Sequence, residues 1–159
     1  MRVRTLCVSA LVAAFAVAAL SIIHPWGELR TATAAGGAIL TGANVPDDVR
    51  ATIAKKCGDC HSSNTQWPAY SRIAPSSWMV EHDVHEGREH MNLSSWEKYT
   101  IDNRIDLLGK MSSQLRQRKM PLKRYLLLHP EAKLSEEERK LIVDWTKAER
   151  KHLLAEAAK

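Results

Sequence analysis

At 159 residues the chain has room for one ordinary domain, and its 45% hydrophobic and 26% charged residues suit a soluble globular fold. The net charge of +5 falls to +3 once Arg2, Arg4, Arg30 and Glu28 of the N-terminal segment are set aside. That excess is small and scattered, with no basic stripe interleaved with aromatics, so no nucleic-acid partner is expected.

Residues 1–34 read as a targeting segment. Arg2 and Arg4 precede a 19-residue apolar run at 5–23. A secretory h-region takes about 7–15 residues and a spanning helix about 20, so the run falls between them. Ala32-Thr33-Ala34 has the small-residue pattern of a cleavage site. The expectation is export to the periplasm, with residues 1–34 either removed as a signal peptide or kept as a membrane anchor through residues 5–23. The positive n-region puts the bulk of the chain outside the cytoplasm in both cases. Cys7, inside the run, reads as a small apolar residue. Residues 35–45, "AGGAILTGANV", read as a short linker, and 46–159 as the folded domain.

Four helices and no strand are predicted in that domain. The first is "PDDVRATIAKKC". Pro46 suits a first helical position, Asp47 and Asp48 face the positive end of the dipole, and Val49, Ile53 and Cys57 share one apolar face. The second opens near Ser76 and stops at Gly87. The third opens with a capping box at Ser94 and Glu97, carries Trp96, Ile101, Leu108, Met111 and Leu115 inward, and ends before Pro121. The fourth opens with Ser135 and Glu138 and buries Leu141, Trp145 and Ala148. Short helices and long loops bury little apolar surface for about 115 residues, so a large apolar group is expected to fill the middle.

"KKCGDCH", at 55–61, offers that group. Cys57, Cys60 and His61 form the C-x-x-C-H pattern of c-type haem attachment. Two thiols on a single turn reach two neighbouring vinyl groups on one porphyrin edge, and the adjacent imidazole lies under the iron. A structural zinc site would need a second ligand pair, a thioredoxin-like pair would need a βαβ setting, and a disulfide here would close a very small loop. The first two contexts are absent, and a disulfide, although open to an exported chain, would gain little from so small a loop. The cofactor expected is therefore one covalently attached haem c.

For the sixth ligand, Met120 is preferred. It lies 59 residues after His61, at the end of the third helix, and Pro121 fixes the backbone behind it. Met79 and Met111 read as core filler, and Met91 is ambiguous. His82, His85, His90 and His129 remain alternatives. Trp67, Tyr70 and Trp78 are expected to wall the haem, and Arg72 or Arg88 to pair with a propionate. His24 and His152 read as exposed, without a site role.

The stretch from Cys57 to Trp96, with "MPLKRYLLLHPEAKLSEEERKLIVDW" after it, resembles the small bacterial haem-binding domain family of cytochrome c type. The resemblance covers about residues 46 to 147. That family shows C-x-x-C-H-S-N, W-P-W-Y-S-x-I-A-P, segments ending E-G-R and N-F-S, then M-P and H-P-E-A-x-L-S. Ser63 stands where Asn is usual, Ala69 replaces an aromatic, and Leu93 replaces Phe. The resemblance implies an all-α, cytochrome c-like fold around one haem, attached through Cys57 and Cys60, with His61 and Met120 on the iron.

The function expected is a monohaem cytochrome that carries single electrons between exported redox partners in transient encounters, without enzymatic activity of its own. A haem-based sensor, a gas-binding module or a peroxidase-like enzyme, each with an open or displaceable sixth ligand, is the alternative.

Overall fold

The computed structural model describes residues 2–27, 29–30 and 37–159, so the cleavage-like Ala32-Thr33-Ala34 lies outside the described residues. Among the described residues there are six α-helices and no strand. They are α1 (Arg2–Ser21), α2 (Asp47–His61), α3 (Ser76–His90), α4 (Ile101–Arg116), the single turn α5 (Lys123–Leu126) and α6 (Glu136–Ala157). Three short 3-10 turns, Ala69–Arg72, Leu93–Lys98 and Pro130–Ala132, sit in the connections.

α1 coincides with the apolar run, and its side chains from Thr5 to Leu20 are exposed. Among the described residues no helix is long and apolar enough to cross a membrane. The domain itself is built on two helix pairs. α4 packs along α6, α2 packs along α3, and α2 also touches α6. The core between them includes Ile53, Trp96, Leu108 and Ile142, all almost completely buried. Burying each such aliphatic side chain contributes about 1.5–3 kcal/mol.

α6 starts as its sequence predicts. Ser135 Oγ accepts from the Glu138 backbone N–H at 3.1 Å, and the Glu138 carboxylate accepts from the Ser135 N–H at 2.8 Å. Its inward face differs by one position from the expected one. Ile142, Val143, Trp145, Thr146, Glu149 and Leu153 are buried, whereas Leu141 is half-buried and Ala148 exposed.

The other capping box does not form. The Ser94 hydroxyl accepts from the backbone N–H of Ser63 at 3.0 Å, so it is spent holding the loop after α2. Asn92 caps the Leu93–Lys98 turn through Ser94 N–H, and the Tyr99 phenol accepts from Asn92 N–H. The chain then extends at Tyr99 and Thr100, and Thr100 caps α4.

Two further segments depart from their sequence reading. Ile39 and Leu40, in the stretch read as a linker, are 6% and 0% exposed and belong to the core. Trp145 Nε1 donates to the Asn44 carbonyl at 3.0 Å, tying the same stretch to α6. Gly87, read as a helix stop, lies inside α3, which runs on to His90. A Cβ on Gly87 would lie 2.5 Å from the Cys60 carbonyl oxygen and 3.0 Å from Cys60 Cβ. The glycine is there for close helix approach, not for chain reversal.

Candidate functional site

Cys57, Gly58, Asp59, Cys60 and His61 form the last turn of α2. That turn is closed by Ser62, whose hydroxyl donates to the Gly58 carbonyl at 2.7 Å and accepts from Asn64 N–H at 3.0 Å. Ser62 is extended, so the helix ends there. Both thiols are free. Burial pushes each up to about 12, reinforced for Cys57 by Cys60 and for Cys60 by Asp83 and Asp59. They therefore stand as protonated thiols.

His61 Nδ1 lies 3.0 Å from the Met91 carbonyl. A carbonyl only accepts, so Nδ1 carries the hydrogen and Nε2 keeps its lone pair. Burial holds the imidazole below its usual pKa, against the pull of the Met91 and Gly87 carbonyls. A neutral ring with a bare Nε2 is the form that ligates iron.

These groups open onto a cavity of about 670 Å³. Cofactor pockets are usually about 300–1,000 Å³, mostly apolar, with a few placed polar groups. Cys57, Cys60 and His61 line it together with Gly87 and Met91, Leu107, Met111 and Leu115 of α4, and Ile142 of α6. Met120, Pro121 and Leu122 are also on its wall. The chain reaches them by a tight reversal after α4. Lys119 N–H bonds the Gln114 carbonyl at 3.0 Å and Arg118 N–H the Leu115 carbonyl at 3.1 Å, with Arg118 left-handed at φ 54°. The half-buried Met120 follows two residues later.

The histidine alternatives separate. His82 and His90 line the cavity, though His90 is 76% exposed and 3.6 Å from Glu86. His85 is not on the wall. His129 is held elsewhere, with Nε2 2.7 Å from the Tyr70 hydroxyl, Nδ1 3.1 Å from Glu131, and its ring stacked on Tyr125. Met79, read as core, is 50% exposed, whereas Met111, also read as core, is on the cavity wall.

The expected aromatic wall is not at the cavity. Trp67 lies under the Arg30 guanidinium, Trp78 donates to the Ile23 carbonyl, and Tyr70 lines a separate pocket of about 50 Å³. The segment carrying them is met by Ser21, Ile23 and Arg30 of the same chain. Neither arginine suggested for a propionate is on the wall: Arg72 is exposed, and Arg88 donates to the Ser62 carbonyl, the Leu29 carbonyl and Thr65 Oγ1. The cations that do line the cavity are Lys56, Lys110 and Arg124. Lys56 is already engaged by the Glu131 and Lys133 carbonyls and by Glu138, and Arg124 by Asp83.

Sequence reasoning missed Asp59 and Tyr125. Tyr125 lines the cavity and donates to Asp59 Oδ2 at 2.8 Å. Burial and the carboxylate both raise its pKa, so it remains a donor. Asp59 Oδ1 accepts from Gln66 N–H at 2.9 Å, and its carbonyl accepts from Thr65 Oγ1 at 2.6 Å. Asp59 was legible as an acid inside the motif; nothing in "KRYLLLHP" pointed to Tyr125. Among the described residues no group of three His, Cys, Asp or Glu is placed to hold a metal ion by itself.

An all-α domain with an apolar cavity, one imidazole presenting a bare nitrogen, and two protonated thiols beside it is suited to a flat iron porphyrin. The fold and site define a haem-binding protein. The profile of the haem-binding domain family matches residues 16–148, and the chain belongs to that family. The chain is also 29% identical over 99 residues to the cytochrome c peroxidase Ccp of Escherichia coli (strain K12), which covers 60% of this chain and 21% of that protein. It thus spans about a fifth of that relative's length. No solved structure matches the chain. The expectation that the protein has no enzymatic activity is corrected by this similarity, because the relative is an enzyme.

Proposed function

We propose that this chain is a c-type cytochrome domain that passes single electrons between exported redox partners. The observation that carries the reading is the meeting of Cys57, Cys60, His61 and Met120 on the walls of one cavity of about 670 Å³. In this reading Cys57 and Cys60 would hold the porphyrin through thioethers, and His61 Nε2 and the Met120 sulfur would ligate its iron. A haem so held supplies a one-electron couple whose potential is raised by methionine ligation. The Met91 carbonyl fixes the His61 tautomer, and Leu107, Met111 and Leu115 give the cavity an apolar wall that would exclude water. Export is supported by Arg2 and Arg4 ahead of the apolar run, and residues 5–23, where retained, would tether the periplasmic domain to the inner membrane. Partners would meet the domain in small, transient encounters.

A second reading is favoured by the similarity to a peroxidase: Met120 would be absent from the iron or displaceable, and the open site would reduce peroxide to water with two protons and two electrons delivered by an exported redox partner. One set of spectra separates the two. Purified protein is recorded oxidised and reduced, with and without carbon monoxide, beside Met120→Ala. Electron transfer with a firm Met120 ligand predicts a sulfur-to-iron charge-transfer band, little carbon monoxide binding, and loss of the band with gain of binding in the variant. A parent that binds carbon monoxide at once and consumes peroxide supports the second reading. A colourless product from a cytochrome-maturing host overturns both.

A further inference from the structure

We infer that the domain carries a docking site for its own N-terminal segment, and that the mature protein keeps this segment instead of losing it at Ala34. The inference does not depend on the haem. The site is formed by the Ala69–Arg72 turn and α3, and Ser21, Ile23, His24, Trp26 and Arg30 meet it. Ser21 Oγ accepts from Ala74 N–H at 2.9 Å, and the Ile23 carbonyl accepts from Trp78 Nε1 at 2.9 Å. Trp26 meets the His82 ring edge-on at 5.2 Å between centroids. Arg30 donates to the Ser71 carbonyl and, at 3.0 Å, to its hydroxyl, and lies 4.3 Å above the Trp67 ring.

The decisive group is Glu81. Its side chain is 1% exposed, inside α3. Its Oε1 lies 2.9 Å from His24 Nδ1 and 3.7 Å from Arg30 Nε, while Oε2 has no hydrogen-bond partner among the described residues. A buried carboxylate is tolerated only where hydrogen bonds and opposite charge compensate its lost hydration. Here the partners identified for it both come from the segment that a cut after Ala34 would remove. The family match also begins inside α1, at residue 16, and takes in this whole segment. Retention therefore leaves α1 attached, at a fixed place beside Ala74 and Trp78.

The test uses the full chain with a C-terminal tag, produced in an export-competent, cytochrome-maturing host and extracted in mild detergent. Intact mass is expected to include residues 21–30. A mature N-terminus at Ala35, or anywhere within 24–36, overturns the inference. Limited trypsin digestion reads the docking directly. Cleavage after Arg30 is expected to be about tenfold slower than after the exposed Arg118, because a docked bond is cut only on local opening. Glu81→Leu should abolish that difference while leaving cleavage after Arg118 unchanged. Equal rates in the parent overturn the docking. Haem absorbance on the same samples keeps the two readings apart: a colourless chain with its segment retained fails only the haem assignment, and a coloured chain starting at Ala35 fails only this one.

Discussion

Replacement of Gly87 by alanine gives the sharpest test of how α3 is set against the motif. Gly87 lies within a helix, where Gly→Ala ordinarily stabilises by about 1 kcal/mol. The structure predicts the opposite sign. The new Cβ would sit 2.5 Å from the Cys60 carbonyl oxygen and 2.9 Å from its carbonyl carbon, both backbone atoms that no rotamer change can move. Restoring an ordinary contact of about 3.5 Å requires the helices to part by about 1 Å. Overpacking of this kind costs typically about 1–3 kcal/mol, so after the helix gain of about 1 kcal/mol the net loss is up to about 2 kcal/mol. The displacement also carries the Met91 carbonyl away from His61 Nδ1, which now hold each other at 3.0 Å. Urea unfolding followed by far-UV circular dichroism measures the first effect, and nitrogen-15 NMR of the His61 ring the second. An alanine variant as stable as the parent, with an unchanged His61 tautomer, refutes the close-approach argument.

Other consequences are open to simpler assays. Ser135→Ala removes one half of the α6 capping box and should cost about 1 kcal/mol in chemical denaturation. Tyr125→Phe keeps the ring on His129 but loses the bond to Asp59, and a loss of about 1.5 kcal/mol is expected in the same assay. For protein without haem, thiol alkylation at pH 8 should be slow in the folded state, since both thiols are pushed from 9.0 up to about 12. Because the unfolded chain releases those protons first, stability should fall as pH rises from 9 towards 12 and be unaffected by these groups below 9. In haem-loaded protein Cys57 and Cys60 should not alkylate at all, even after unfolding, and mass spectrometry would expose any that do.

What the sequence made legible follows the range of the forces involved. The helical class, the Ser135 box and the placement of Cys57, Cys60 and His61 on one turn depend on residues within four positions of each other. The position of Met120 just past a helix end was legible because Pro121 marks that end locally. The remainder is long-range. Ser94 has every local mark of a helix cap, yet its hydroxyl is taken by Ser63, thirty-one residues earlier. Gly87 looks like a stop because its neighbour in space, Cys60, is invisible in the local pattern. Trp67, Tyr70 and Trp78 are close to the motif in sequence, yet in space Trp67 meets Arg30, Trp78 meets Ile23 and Tyr70 meets His129. Arg88 likewise serves the backbone of the loop after α2.

The acid between the two thiols has a consequence for how the protein can vary. Asp59 is not a spacer. One carboxylate pins the loop at Gln66 through one oxygen and the single-turn helix at Tyr125 through the other. Two stretches about sixty residues apart in the chain thus share a fastening that lies inside the attachment motif itself. Grafting a different pair of residues between Cys57 and Cys60 would leave the thiols at their proper distance and still unfasten both stretches together.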